Sequence, residues 1–475
     1  MVGRRRPGLT PVEARPPSGD RAPEWAGLWR NVDFLKVWTG ESISWLGSEI
    51  SSFAIPIVAA ISLGARPGDM GVLFLGSSAT SLAIRLFAGA WVDRVRRRSV
   101  LIAADVASAA AIGSIPLAAA FGSLTFGHLF VAYAVLGAVR PFLWSGFTAY
   151  IPTLVPSKQL VEANAKLSAT ESGAAVVGPG IAGTLVEVLT APFALVVDAI
   201  SFLVSAVFLR WVRSSEPPAE DAERRRLLDE IREGISVTLR DPVLRWIAIL
   251  NSLRVVGTLV WPNYVIFALR VLDVSPLTFG LVGSVGAIGF LGGSLLAPRL
   301  ARRFGIGPTI AGASWLLFMS PFFMPFAPAR SALAPTLLTA AAVVGATGDM
   351  VMAVTLESYM QAVTPKRLLG RVSATTFFLA GIGFLVGPVI GGFLGEAIGI
   401  RATILLSACL HVLWPLCAWG SPLRRLHAMP WQPGERAETL TPQVPEPSSG
   451  GPLPPGILPP ADSSTAGSPD ERSRP

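Results

Sequence analysis

Charge is what this 475-residue sequence has little of: Asp, Glu, Lys and Arg together make up 15%, against roughly 25% in typical soluble proteins. Length alone would suit two or three soluble domains, and this composition excludes them. The charges are also clustered, leaving repeated apolar stretches of about 20 residues, enough helix to cross a hydrocarbon core roughly 30 Å thick. Lysine is scarcer still, with four residues. Arginine carries nearly all the positive charge, which with abundant Ala, Gly and Pro reads as a GC-rich bacterial coding bias. There are two cysteines, Cys409 and Cys417, in one apolar run. Eight positions apart on a helix they are too distant to bridge, so neither a disulfide nor a metal site is expected. No glycine loop ending in Lys-Ser/Thr and no metal constellation is present, so an enzyme and a cofactor are not expected either. The first 28 residues lack the apolar core of a signal peptide, which leaves the first apolar run as an uncleaved anchor.

What is present is a series of twelve apolar spans, at about 34–62, 70–92, 99–121, 127–150, 168–190, 192–211, 244–268, 277–298, 307–327, 333–357, 372–396 and 401–420. Basic clusters fall on one side of them: Arg4–Arg6, Arg94–Arg98, Lys158 with Lys166, Arg224–Arg226, Arg299 with Arg302 and Arg303, Lys366 with Arg367 and Arg371, and Arg424 with Arg425. The opposite loops carry mostly single residues, Arg66, Arg270, Arg330 and Arg401. An excess of Lys and Arg marks cytoplasmic loops, so both termini are expected in the cytoplasm. This placement also accounts for the net charge of +8 without nucleic acid.

Between spans six and seven, Leu227, Leu228, Ile231, Ile235 and Leu239 recur three or four residues apart with charges opposite. That is the pattern of an amphipathic helix at the membrane surface. The chain divides into a disordered N-terminus (1–30), a six-helix bundle (31–212), a cytoplasmic linker (213–242), a second six-helix bundle (243–422) and a disordered Pro/Ser/Gly-rich tail (423–475). The two bundles repeat one another. Residues 150–187 match the stretch 209 positions later at eleven of 38 positions, including Gly178/Gly387, Pro179/Pro388, Gly183/Gly392 and Glu187/Glu396, where chance gives about three. An offset of six helices preserves orientation, so the expected fold is an all-α membrane protein of twelve transmembrane helices in two parallel-repeat bundles.

Two motifs carry a resemblance. The loop between spans two and three reads Gly-x-x-x-Asp-Arg-x-x-Arg-Arg, as Gly89, Asp93, Arg94, Arg97 and Arg98. A twelve-helix chain with this loop resembles the major facilitator superfamily, and the resemblance implies a conformational latch that holds the outward-facing state. Glycine permits close helix approach and Asp93 can cap a helix N-terminus. A plain cytoplasmic basic loop would explain the arginines but not Gly89 and Asp93. The arginine pattern recurs 205 residues later as Arg299, Arg302 and Arg303, with Ser294 and Pro298 where Gly and Asp would stand. The second motif, Gly173, Gly178, Pro179 and Gly183 in span five, resembles the glycine-proline motif of this superfamily's exporters and antiporters; the rival is an ordinary kinked membrane helix. Several stretches, among them "FALVVDAISFLVSA" and "IPTLVPSKQLVEANAKLSATESGAAVVGPGIAG", look like the enterobactin-exporter and macrolide-efflux branch. The Arg-x-x-Gln-Gly pattern of many proton-coupled relatives is absent after Arg140, where Leu143 and Trp144 stand.

Charges inside spans are costly and functional by default. Glu41 and Glu49 fall in span one, Arg140 in four, Arg254 in seven, Asp349 in ten, and Asp105, Glu171 and Asp198 in three, five and six. In the resembled fold, helices 1, 4, 7 and 10 line the central cavity. A carboxylate withdrawn from water can carry a proton near neutral pH. Glu41, Glu49 or Asp349 is the candidate titrating group and Arg140 and Arg254 are the counter-charges; a structural inter-helix salt bridge is the rival reading. Trp45, Phe53, Trp144, Phe147, Trp261, Tyr264 and Phe378 could form an apolar substrate surface or face lipid, and His411 reads as packed. The resemblance implies a monomeric secondary exporter of a small amphipathic molecule (a drug, antibiotic or siderophore-like metabolite) by proton antiport in the bacterial inner membrane. Uptake of a nutrient or lysolipid, and a sensor or scaffold role using the tail, are the alternatives.

Overall fold

The computed structural model describes residues 28–92, 94–213 and 235–426. Among them, twelve helical segments follow one another: α1 (Val32–Ile57), α2 (Pro67–Val92), α3 (Arg97–Ala120), α4 (Phe126–Leu154), α5 (Leu160–Leu189), α6 (Ala191–Trp211), α7 (Pro242–Val271), α8 (Pro276–Phe304), α9 (Ile306–Met319), α10 (Leu333–Val363), α11 (Lys366–Ala397) and α12 (Ile400–Gly420). All but α2 form segments long and apolar enough, by length and composition, to cross a membrane. α2, with 26 residues, reaches about 39 Å at the usual helical rise. Of the proposed linker helix, Leu227, Leu228 and Ile231 lie outside the described residues; residues 235–240 are helical, with Ile235 and Leu239 exposed.

Local chemistry sets the helix starts. Asn31, Thr125 and Ser275 each accept a hydrogen bond from the amide three residues on, and Asp241 accepts from Val243 and Leu244. Pro67, Pro242 and Pro276 occupy the first helical position, where a missing N–H leaves nothing unsatisfied. α7 is interrupted at Leu253 and again at 259–260. A carbonyl between those breaks is served by a neighbouring helix, Ser407 of α12 donating to Val256 O at 2.9 Å, while Thr258 and Asn263 of α7 donate to Gly383 O and Gly391 O and tie the broken helix to α11. In a membrane interior such substitution is what allows a helix to break.

Within the first half α1 packs on α5 and α6, α3 on α4 and α6, and α2 on α4; in the second, α7 packs on α11, α8 on α10, and α9 on α10 and α12. The halves meet through α5 against α8 and α2 against α11. Backbone detail repeats with the helices. A wide helical turn at Val58–Ser62 recurs at Phe267–Val271, and the positive-φ pairs Gly64/Asp273 and Thr190/Gly399 are likewise 209 residues apart. The apolar core has a matching polarity. At the end carrying loops 62–66 and 271–275, one buried cluster draws on both halves, including Ile55, Val58, Ala182, Ile266, Phe267 and Phe279. Toward the other end each half keeps its own: Phe34, Leu101, Tyr150 and Leu209 in the first, Leu244, Ile247, Ile306 and Met360 in the second. Among the described residues the halves share one buried apolar cluster at the first end and keep separate clusters toward the other.

Candidate functional site

The seal is built from small residues and two carboxylates, each used twice. Gly183 of α5 lies against Pro276 O, Leu277 and Gly280 of α8; Gly392 of α11 lies against Pro67 O, Gly68 and Gly71 of α2, the residues 209 positions earlier. A Cβ on either glycine would come within 2.6 Å of the opposing carbonyl or closer, so backbone-to-backbone approach requires glycine there. Beside each contact a duplicated glutamate caps the first turn of the helix it faces. Glu187 accepts from Leu277 N–H at 3.3 Å, and Glu396 accepts from Gly68 N–H at 3.2 Å. These amides are among those a helix N-terminus leaves free, and the helix dipole favours an anion there. Arg270 of α7 adds a cross-half tie by donating to Ala65 O at 2.9 Å and to Ala60 O.

Next inward come aromatic rings bridging the halves. Phe53 of α1 meets Phe279 of α8 at 5.4 Å between centroids, with Tyr264 behind it, and Phe74 of α2 meets Trp261 of α7 at 6.3 Å, backed by Phe384. Of the aromatics singled out in sequence, Phe53, Trp261 and Tyr264 belong to this layer. Trp45 and Phe147 pair within the first half, and Trp144 and Phe378 are exposed.

Beyond the aromatic layer lie the charges. In the second half Arg254 of α7 forms a two-pronged ion pair with Asp349 of α10, at 2.8 and 3.2 Å, in a partly exposed setting. In the first half Glu49 of α1 lies within the electrostatic reach of Arg140 of α4 and of Glu171 of α5. Arg140 forms no salt bridge among the described residues and is exposed. Glu41 is set apart, buried two turns along α1, where its acidic neighbour is Asp105 of α3. Arg254 and Asp349 thus come together, Glu49 and Arg140 face one another without closing, and Glu41 belongs to a separate group.

The span-five motif connects with this arrangement. A Cβ added to Gly178 would overlap Glu49 Cβ and approach its Cγ to 2.9 Å, so the glycine makes the space that Glu49 fills. Its repeat partner Gly387 lies in the same way against Thr258, the residue 209 after Glu49. The same packing thus holds a carboxylate in one half and a hydroxyl in the other. Pro179 is accommodated inside a continuous α5, and Gly173 has no neighbour within 4 Å of a built Cβ.

In the span two–three loop, Gly89 falls in α2 and Asp93 lies outside the described residues. Arg94 sits in a turn and Arg97 opens α3. Arg98 donates to Leu209 O at 2.8 Å and to Arg210 O, binding the carbonyl end of α6 in its own half. The later arginine pattern differs: Arg299, Arg302 and Arg303 are all inside α8, which runs on to Phe304 and ends at the positive-φ Gly305. The helices repeat at 209, as the starts Arg97/Ile306 and Ala191/Ile400 show. A pattern offset of 205 is therefore one helical turn out of register with the architecture.

Asp105 and Asp198, charges within spans three and six, belong to no site by sequence spacing alone. Both are fully buried, and Asp198 accepts hydrogen bonds from Ser201 at 2.9 Å and from Ser51 of α1. The available signal was periodicity: Ser44, Ser48 and Ser51 on α1, and Asp198, Ser201 and Ser205 on α6, recur at three and four residues and give each helix a polar stripe.

Comparison with known proteins fits this architecture. The family model described as Major Facilitator Superfamily matches residues 37–380 and 252–453. The multidrug efflux pump Tap of Mycolicibacterium fortuitum is 27% identical over 368 residues, covering 75% of this chain and 88% of that one. The uncharacterized MFS-type transporter YfiS of Bacillus subtilis is 22% identical over 396 residues, covering 81% and 92%. Among solved structures, a mutant of the nucleoside transporter NupG superposes with a TM-score of 0.68 at 12% identity, covering 82% of this chain and 99% of that one. A bacterial homologue of the human lysosomal transporter Spinster, inward-facing and unoccupied, gives 0.64 at 15%, covering 86% and 99%. Twelve helices in two matched halves, sealed at one end around a charged interior and covered by a family match that runs through both, make this chain a member of the major facilitator superfamily.

Proposed function

We propose that the protein is a proton-coupled exporter of small amphipathic organic molecules in the bacterial inner membrane. Both termini are cytoplasmic, and the bundles at 31–212 and 243–422 rock about the central charges as a monomer. The observation that carries this reading is Gly178 against Glu49: the glycine-proline motif and the one charged member of the Glu49/Thr258 pair form a single packed unit facing Arg140. The name of the pump Tap supports export of varied molecules. The basic clusters at the end where the halves keep separate apolar clusters support its facing the cytoplasm.

In this reading the aromatic layer receives the apolar body of the substrate. A substrate arriving from the cytoplasm takes the place of a proton on Glu49, with Glu41 and Asp349 as the further candidate carriers and Arg140 and Arg254 as counter-charges. Rocking breaks the Gly183 and Gly392 contacts, while Asp93, Arg94, Arg97 and Arg98 latch the cytoplasmic end. Substrate leaves outward and a proton from outside reloads the site. The test is uptake of the fluorescent lipophilic cation ethidium into everted membrane vesicles with and without the full chain. Export predicts uptake that depends on the chain and stops when an uncoupler is added; uptake that is indifferent to the uncoupler overturns the coupling.

A further inference from the structure

We infer that the first bundle contains a second proton-carrying site behind Glu49, formed by Glu41, Asp105 and Asp198 with Ser51, Ser201 and Ser205. Its place in a transport cycle rests on the antiport reading above; its existence does not.

The three acids come from three helices. Asp198 of α6, wholly buried, receives the hydroxyl of Ser201 on one oxygen at 2.9 Å and that of Ser51 of α1 on the other. Asp105 of α3 is 1% exposed and lies within the electrostatic influence of Asp198; Glu41 of α1, 8% exposed, lies within that of Asp105. Ser205 is the one hydroxyl set beside the Asp105 carboxyl, and neither Asp105 Oδ2 nor Ser205 Oγ completes a well-formed hydrogen bond among the described residues. A single loosely placed hydroxyl is poor compensation for a buried anionic carboxyl. A protonated carboxyl in its place supplies an O–H for the neighbouring hydroxyl to accept.

The surroundings do not neutralise three anions. α1 presents Glu41 and Glu49, α3 presents Asp105, α5 presents Glu171 and α6 presents Asp198; α4 presents Arg140 and the phenol of Tyr133. One guanidinium, acting on both Glu49 and Asp198, faces five acids. Among the described residues no group of three or more His, Cys, Asp or Glu side chains is placed to hold a metal ion. A proton on one or more of these carboxyls removes the uncompensated charge without requiring any further group.

Access is built in. A cavity of about 90 Å³ is lined by Ser51, Ser77, Ser108, Tyr133, Arg140 and Asp198, and a water's share of liquid volume is about 30 Å³. It touches both Arg140 and Asp198, and Arg140 is the cation that acts on Glu49. From there the acids step through Asp105 to Glu41, which is eight residues, or about 12 Å, nearer the start of α1 than Glu49. Each step breaks an O–H bond on one carboxyl and forms one on the next, with a water molecule relaying the proton across the gap between them. The site gives protons a path inside one bundle, apart from the opening between bundles that a substrate would use.

The test is infrared spectroscopy of the full chain in lipid bilayers, following the C=O stretch of protonated carboxyl groups as the bath is stepped from acid to alkaline pH. The expected result is a band present at neutral pH that disappears on alkalinisation and falls at least twofold in the Asp105→Asn, Asp198→Asn double variant. Absence of the band in the unmodified chain overturns the proposal without recourse to variants. So does a band that never responds to pH, or one that the double variant leaves unchanged. Because the band is read without transport, an ethidium flux indifferent to uncoupler would overturn antiport and leave this result standing.

Discussion

Arg140 and Asp349 occupy the same position in the two halves, 209 residues apart, and carry opposite charges; each faces the opposite sign from the first helix of its own half. In the second half that meeting is a closed two-pronged ion pair with Arg254. In the first, Arg140 and Glu49 remain open to other partners. The duplicated scaffold therefore holds one closed charge pair and one open pair. On the antiport reading proposed above, this asymmetry makes Glu49 with Arg140 the first pair to test for proton exchange, ahead of Asp349 with Arg254.

The Arg254–Asp349 pair is expected to be worth about 1 kcal/mol, given its partial exposure. Arg254→Ala and Asp349→Asn should each lower thermal stability in detergent modestly and reduce ethidium flux. The charge-swapped double variant, Arg254→Asp with Asp349→Arg, should recover most of the stability. A double variant no better than the singles would show that the pair is not a unit.

Gly178→Ala forces a methyl group into Glu49, an overpacking that costs about 1–3 kcal/mol when the neighbours must shift. Ethidium flux should fall at least about tenfold. Gly173→Ala, in open space on the same helix, should retain flux and stabilise α5 slightly through better helix propensity. Equal losses in the two variants would remove Gly178 from its role beside Glu49.

Glu187 and Glu396 hold the sealed end. Both are exposed, so each cap should contribute only about 0.5–1 kcal/mol. Replacing both by Ala should shift the equilibrium away from the sealed form about tenfold. Spin labels at Ser123 and Ser331, one on each half at the sealed end, should then show a growing population at longer separation. An unchanged distance distribution would mean that the glycine contacts close the seal without the caps.

The tail bears on what kind of protein this is. A chain ending at Met429 should export ethidium within about twofold of the full chain, since the charges, aromatics and seal all lie before it. Loss of function with intact folding would favour a scaffold acting through residues 430–475.

The twelve spans were legible because long apolar runs between arginine clusters have few other solutions, and the repeat was legible because Gly178, Pro179, Gly183 and Glu187 recur whole. The contact of Gly178 with Glu49 was not, because it depends on how α1 crosses α5, and no local pattern encodes a crossing. Glu187 and Glu396 were visible only as a repeated letter; their role needed the N-termini of α2 and α8 brought opposite. Reading charges singly rather than as faces left Asp105 and Asp198 unplaced, although the serines around them share their helical stripe. Matching the arginine pattern at an offset of 205 placed a copy of the loop where α8 is still helix.

The most direct measurement of the central claim records ethidium and protons together. Everted membrane vesicles containing the full chain are made acidic inside, and ethidium uptake and lumenal pH are followed at once. The account predicts that ethidium speeds the loss of lumenal protons, and that Glu49→Gln abolishes both signals while the protein remains folded. Ethidium uptake that moves no protons, or that continues unchanged in Glu49→Gln, would contradict it.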